Sequence, residues 1–367
     1  MSTNPLKALG QLGQSVWYDN IHRDMLDGGE LARLVTDDDL RGVTSNPTIF
    51  DKAISGGDTY DNAIAAALRE NAELSSAELF NHLAVADIRD AADVLDPVYQ
   101  RTGGEDGMVS MEVSPALAHD TDGTIAEARR LWAWMDRPNV MVKVPATAEG
   151  VPAIETLIAD GINVNVTLLF SLRRYAEVVD AYLAGLQQRA RRGEAVDHVR
   201  SVASFFVSRV DSAIDPRLDG ELATLRGTAA IANAQCAYRH FEEVFDGGRF
   251  DDLRALGARE QRLLWASTGT KNPDYSDVMY VEALIGDRTV NTLPPATYDA
   301  YRDHGDPRPR IHDGMDEAPE TLRRLEQAGI DLAEVTATLE RDGVQAFLDS
   351  YNNLLRSLDD KASALAA

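Results

Sequence analysis

Eight short apolar runs recur along this chain, each separated from the next by a longer segment whose apolar residues keep helical spacing. The runs are 15–19, 42–44, 108–113, 140–144, 163–167, 202–206, 263–267 and 289–293. Apolar runs of this length, bounded by turn residues, read as buried strands. The segments 124–134, 151–159, 172–190 and 229–245 between them read as amphipathic helices. Strand–helix alternation builds parallel strands joined by crossovers. Eight such units predict an α/β fold, a (β/α)8 TIM barrel. The rival arrangement is an open doubly wound sheet, but no GxGxxG turn follows the first strand to support it.

Two parts of the chain exceed what a minimal barrel needs. The connection 51–107 carries at least two amphipathic helices, around 60–74 and 77–95. After the eighth run, 298–367 reads as a helical extension that includes 332–339 and 344–358, with an irregular Pro-rich stretch at 306–310. The segment 211–262 contributes further helix. The expected organisation is therefore a single barrel domain over 1–367 with helical insertions, the extension packing over the barrel.

The balance of 36 Lys and Arg against 60 Asp and Glu leaves a formal charge of −24. A nucleic-acid partner needs a basic face, and an anionic membrane surface needs basic clusters, so neither is expected. The global charge does not exclude a phosphorylated substrate, because salt screens it and a few local cations dominate a pocket. The single cysteine, Cys236, allows neither an internal disulfide nor a thiolate metal cluster, and its helical context suits a small buried hydrophobe. The seven histidines are scattered without ligand spacing, so no metal is expected. No apolar stretch suggests a signal peptide or a membrane span, so a cytoplasmic protein is expected.

Within the fourth run, Val140-Met141-Val142-Lys143-Val144-Pro145, a lysine interrupts apolar β-formers. One reading is a strand-end lysine that snorkels to water. The other is a buried amine, which desolvation keeps closer to its neutral, nucleophilic form. Period-two alternation bears on the choice. In Asn163-Val164-Asn165-Val166-Thr167-Leu168, the polar residues share one face and the apolar residues the other. Helices must cover the apolar face, so the polar face points into the barrel. The same logic turns Ser110, Glu112 and Lys143 inward, pairs Thr44 with Asn46, Asp19 with Trp17, and Ser204 with Phe206. These polar residues gather at the C-terminal strand ends, where barrel active sites lie. Left unpaired, each would cost about 1–3 kcal/mol.

The segment Gly42-Val43-Thr44-Ser45-Asn46-Pro47-Thr48-Ile49-Phe50 resembles the first signature of the transaldolase family, and 140–147 resembles the second. Glu112 and the run 163–170 fall in that family's order, and the match extends from about 15 to 294. The long segments are similar to a longer bacterial subgroup within the class I Schiff-base aldolase superfamily. The resemblance implies a barrel with no cofactor that moves a dihydroxyacetone unit between sugar phosphates in the non-oxidative pentose phosphate pathway. It implies Lys143 as the imine-forming nucleophile and Glu112 with Thr167 as holders of a proton-shuttling water. Asp19 becomes the base for C–C cleavage. Asn46, Asn165, Ser204, Thr44 and Phe206 become substrate contacts, with Asn163 assigned either to substrate or to core. Arg209 matches the phosphate arginine, and Ser267 and Lys271 are candidates for the same phosphate, although an arginine often stands where Lys271 does.

Phe206 bears on the outcome, since related aldolases carry a tyrosine near this position that helps to protonate and release free dihydroxyacetone. A fructose 6-phosphate aldolase-like lyase and a catalytically silent sugar-phosphate-binding barrel are the alternatives. Phe206 speaks against the first and the full polar set against the second. The expected partners are sugar phosphates, and a homo-oligomer is compatible with the long insertions.

Overall fold

A computed structural model describes residues 4–366; Met1–Thr3 and Ala367, the last residue of the predicted extension, lie outside the described residues. Eight parallel strands close into a barrel in sequence order. They are β1 (Gln14–Tyr18), β2 (Gly42–Thr44), β3 (Met108–Glu112), β4 (Val140–Pro145), β5 (Val164–Leu169), β6 (Ser201–Phe206), β7 (Arg262–Ala266) and β8 (Thr289–Leu293). Every sequence-derived run overlaps its strand, with ends displaced by no more than two residues. Closure comes from β1 pairing β8 along its whole length, from Gln14↔Thr289 to Tyr18↔Leu293.

The alternation holds around Lys143. Val142 and Val144 lie fully buried under the helical layer, while Lys143 projects inward between them. Register puts Glu112 beside Lys143 and Lys143 beside Asn165, so three neighbouring strands present polar groups at one level. Asn163 sits lower: its amide donates to the carbonyls of Pro138 (3.1 Å) and Val140 (3.0 Å), and its oxygen accepts from Arg200 N (2.8 Å). It is a core amide.

The N-terminal mouth is plugged by a polar cluster. Asp106 pairs with Arg262 at 2.9 Å and accepts from Ser15 at 2.7 Å, satisfying a carboxylate that is almost wholly buried. Above it the Trp17 ring lies against β2, where a Cβ on Gly42 would come within 2.5 Å of the indole, so only glycine fits.

The connection after β2 holds three helices, Pro47–Ser55, Asp61–Glu70 and Ser76–Arg101. Ser75 and Glu78 form a capping box that starts the last of these. That helix runs beyond the expected 77–95 and continues through Pro97 near its end. The extension after β8 comprises Pro295–His304, Ala318–Gln327 and Leu332–Ala366, with 306–310 irregular as expected. The two expected terminal segments are one 35-residue helix, about 52 Å long at the standard rise. Cys236 is half-buried against the core rather than wholly enclosed. No helix among the described residues is long and apolar enough to cross a membrane.

Candidate active site

A cavity of about 150 Å³ opens at the C-terminal mouth of the barrel. Ten of the twelve sequence-derived site residues line it: Asp19, Thr44, Asn46, Lys143, Thr167, Ser204, Phe206, Arg209, Ser267 and Lys271. They come from the ends of six strands that meet only because the barrel closes. The other two stand just behind the wall. Glu112 borders a small adjoining cavity with Ser45 and Tyr351, yet its carboxylate reaches Lys143 Nζ at 3.4 Å. Asn165 is fully buried beneath the cavity floor, donating to Ser110 Oγ at 3.0 Å and accepting from Ser204 Oγ at 2.6 Å.

Lys143 does not snorkel. Its side chain is 6 % exposed, and Nζ donates to the Ser45 carbonyl at 2.8 Å as well as to Glu112. Those two acceptors offset the cost of holding an ammonium inside. Burial raises the Glu112 carboxyl above its ordinary range, against the lowering pull of Lys143. Burial likewise raises Asp19, opposed by the charge of Lys143 and the Thr44 hydroxyl. Thr44 Oγ1 donates to Asp19 Oδ1 at 2.7 Å. Raised carboxyls take and give protons near neutral pH more readily than ordinary ones.

Local chain geometry serves the site. Asn46 caps the helix Pro47–Ser55, its Oδ1 accepting from Ile49 N at 3.0 Å with Pro47 at the first helical position. Capping uses the oxygen and leaves the amide N–H groups for a ligand hydroxyl. Thr167 Oγ1 is buried and has no hydrogen-bond partner among the described residues, so it is free for substrate or water. Just after it, Leu168 takes a left-handed φ of 56° at a register shift in β5. Ser267 takes φ 55° at the end of β7, and its hydroxyl lies 3.0 Å from that of Ser208. Strained backbone of this kind concentrates at functional sites.

The cavity wall carries three cations, Lys143, Arg209 and Lys271, against the single carboxylate of Asp19. Within a chain of formal charge −24, that is a local reversal of sign. Arg209 has no carboxylate within ion-pair distance among the described residues; its guanidinium packs 5.4 Å from the Phe206 ring centroid, and desolvation lowers its proton affinity. A partly buried, unpaired guanidinium facing a cavity is suited to an anionic ligand.

A profile of the transaldolase/fructose-6-phosphate aldolase family matches residues 16–358. The chain belongs to this family. It is 49% identical over 359 residues to a transaldolase of Thiobacillus denitrificans, covering 97% of this chain and 99% of that one. Identity to a transaldolase of Saccharopolyspora erythraea is 48%, with 98% and 99% covered. To a transaldolase of Trichodesmium erythraeum it is 44%, with 100% and 99% covered.

Against this transaldolase/aldolase background, two wall residues stand out that sequence reasoning missed. Thr292, at the end of β8, lies 2.7 Å from Thr44 Oγ1. Its alternation signal was present in Thr289-Val290-Asn291-Thr292-Leu293 but reads equally as an ordinary strand. Phe347 comes from the C-terminal helix, with its ring centroid 6.0 Å from Lys143 Nζ. A phenylalanine in an amphipathic helix carries no local mark of a site. Among the described residues no group of three or more His, Cys, Asp or Glu side chains is placed to hold a metal.

Proposed function

We propose that this chain is a transaldolase that moves a dihydroxyacetone unit from sedoheptulose 7-phosphate to glyceraldehyde 3-phosphate. The products are erythrose 4-phosphate and fructose 6-phosphate. The observation that carries the reading is Lys143, held inside the barrel by Ser45 and Glu112, in one cavity with Asp19 and the unpaired Arg209.

The proposed course is as follows. Lys143, after giving a proton to Glu112, adds through its amine to the ketose carbonyl to give a carbinolamine, which loses water to become an imine. Glu112 and Thr167 handle the protons of that step through a water held between them. Asp19 takes the proton of the hydroxyl next to the scissile bond, the C–C bond breaks, and the electron pair enters the imine as an enamine. The aldehyde leaves. The enamine carbon then bonds to the acceptor aldehyde, whose oxygen takes the proton back from Asp19. Imine hydrolysis returns the Lys143 amine and frees the new ketose.

Asn46 and Ser204 meet the hydroxyls of the three-carbon unit, and Asn165 braces Ser204 from below. Thr44 orients Asp19. Arg209, Ser267 and Lys271 hold the phosphate. Phe206 has no hydroxyl with which to protonate the enamine, which favours transfer over a lyase outcome. The setting is the non-oxidative pentose phosphate pathway in the cytoplasm.

Borohydride reduction in the presence of fructose 6-phosphate, followed by peptide mapping, tests this. A reduced three-carbon adduct on Lys143, absent in Lys143→Ala, supports it. A folded protein with bound ligand and no adduct would reduce the kinship to one of fold.

A further inference from the structure

The C-terminal helix Leu332–Ala366 crosses the mouth of the barrel, and from Gly343 onward its buried positions Gly343, Phe347, Tyr351, Leu354 and Leu358 follow a stripe of three- and four-residue steps. Gly343 sits directly on Leu168: a Cβ there would lie 2.9 Å from Leu168 Cδ2. The left-handed φ of Leu168 ends the outward alternation of β5 and brings its side chain against the helix. One turn after Gly343, Phe347 stands over Lys143 with 6 % exposure. It lines the catalytic cavity and also an outer cavity of about 520 Å³ that includes His22, Thr48 and Lys52. Asp19, Asn46, Arg209 and Pro294 line both as well, so the ring stands where the two cavities adjoin, on the side of Lys143.

The helices inserted after β2 hold this one in place. Thr48 and Ser350 hydroxyls lie 2.8 Å apart. Lys361 Nζ donates to Asp61 at 2.7 Å and to the Gly57 carbonyl at 2.6 Å, and Ser76 donates to Asp359. The Phe80 ring packs edge-on to Tyr351 at 5.7 Å. The two segments by which the chain exceeds a minimal barrel thus form one assembly, and it delivers one aromatic side chain to the nucleophile.

We propose that Phe347 is a specificity-determining residue that decides the fate of the three-carbon enamine on Lys143; this rests on the transaldolase reading above. The enamine has two exits. Its carbon bonds to an acceptor aldehyde, which is transfer, or it takes a proton from solvent, which leaves the imine of dihydroxyacetone. Either imine is hydrolysed the same way, water adding and the C–N bond breaking to regenerate the amine. The exits differ only at the carbon. An apolar ring 6.0 Å from Lys143 Nζ, where the catalytic cavity adjoins the outer one, keeps bulk water, the proton source, from the enamine on that side while the acceptor arrives. The same ring face favours the cationic iminium.

The test is the ratio of free dihydroxyacetone released from fructose 6-phosphate to dihydroxyacetone transferred to an aldehyde acceptor. A ratio is independent of the folded fraction, so a purely structural role does not move it. Phe347→Ala should raise it about tenfold. Phe347→Leu, which keeps an apolar cover, should stay near wild type. Gly343→Ala, which lifts the helix from Leu168, should also raise it. An unchanged ratio in Phe347→Ala, with the Lys143 adduct still trapped, overturns the inference. If Phe347→Ala does not fold, an unchanged ratio in Gly343→Ala does so. Failure to trap an adduct in the wild type would instead strike the transaldolase reading itself.

Discussion

The hydroxyls of Thr292 and Thr44 lie 2.7 Å apart although 248 residues separate them, and Thr44 donates a hydrogen bond to Asp19 Oδ1 at 2.7 Å. With the Thr44 hydrogen directed at the carboxylate, Thr292 must supply the hydrogen between the two threonines. The result is a short relay from β8 through β2 to the proposed base, fixing which way the Asp19 carboxylate faces.

Thr292→Val keeps the shape of this residue and removes its donor. Loss of one buried hydrogen bond of ordinary strength, about 1 kcal/mol, predicts a kcat lower by about fivefold. KM should change little. Steady-state kinetics check this, and an effect confined to KM would count against an orienting role.

The pH dependence of turnover should carry the mark of Asp19. The base acts only when ionised, and burial holds its carboxyl above the ordinary range. Activity therefore falls as pH drops through that raised value, earlier than an exposed aspartate would allow. The Thr44 hydrogen bond favours the ionised form. Thr44→Val should move the acid limb of the kcat profile further up in pH, and an unmoved limb would assign that limb to another group.

Arg209→Ala should raise KM for phosphorylated donors about 10–100-fold, the loss expected for a hydrogen bond to a charged group. Reaction with unphosphorylated dihydroxyacetone should be nearly unaffected. The melting temperature should not fall, because desolvation weighs on a guanidinium with no carboxylate partner among the described residues. Equal effects on both substrate classes would remove Arg209 from the phosphate site.

Asp211 lies on the helix Ser208–Ile214 that carries Arg209, accepting from Ala230 N at 2.8 Å and from the Tyr280 hydroxyl at 2.8 Å. Burial pushes its carboxyl up to about 6 from an ordinary 3.8. The folded state thus keeps a proton that the unfolded chain releases. The stabilisation is complete below the unfolded value and is lost as pH rises through about 6. Urea unfolding should show about 2 kcal/mol lost from this group between pH 4 and 7. Asp211→Asn should flatten that window; a constant difference from wild type across it would refute the raised carboxyl.

The polar wall was legible where local pattern carried it. Alternation in β4 and β5 turned Lys143, Asn165 and Thr167 inward, and all three lie there, Asn165 one layer below the cavity. Alternation alone could not show that Asn46 also caps a helix, because that depends on where Pro47 starts the next element. It also failed at Leu168, where the register shift in β5 takes the side chain out of the period-two sequence.

The sequence by itself determined the number and order of the strands and which side of β3, β4 and most of β5 faces inward. Those properties follow from local periodicity and from the cost of burying an unpaired polar group. Tertiary structure alone decided that Thr292 meets Thr44, that the insertion after β2 and the C-terminal helix brace each other, and that Phe347 covers Lys143. Such pairings join residues hundreds of positions apart. They are fixed only when the barrel closes and the long helix finds the face that buries its stripe.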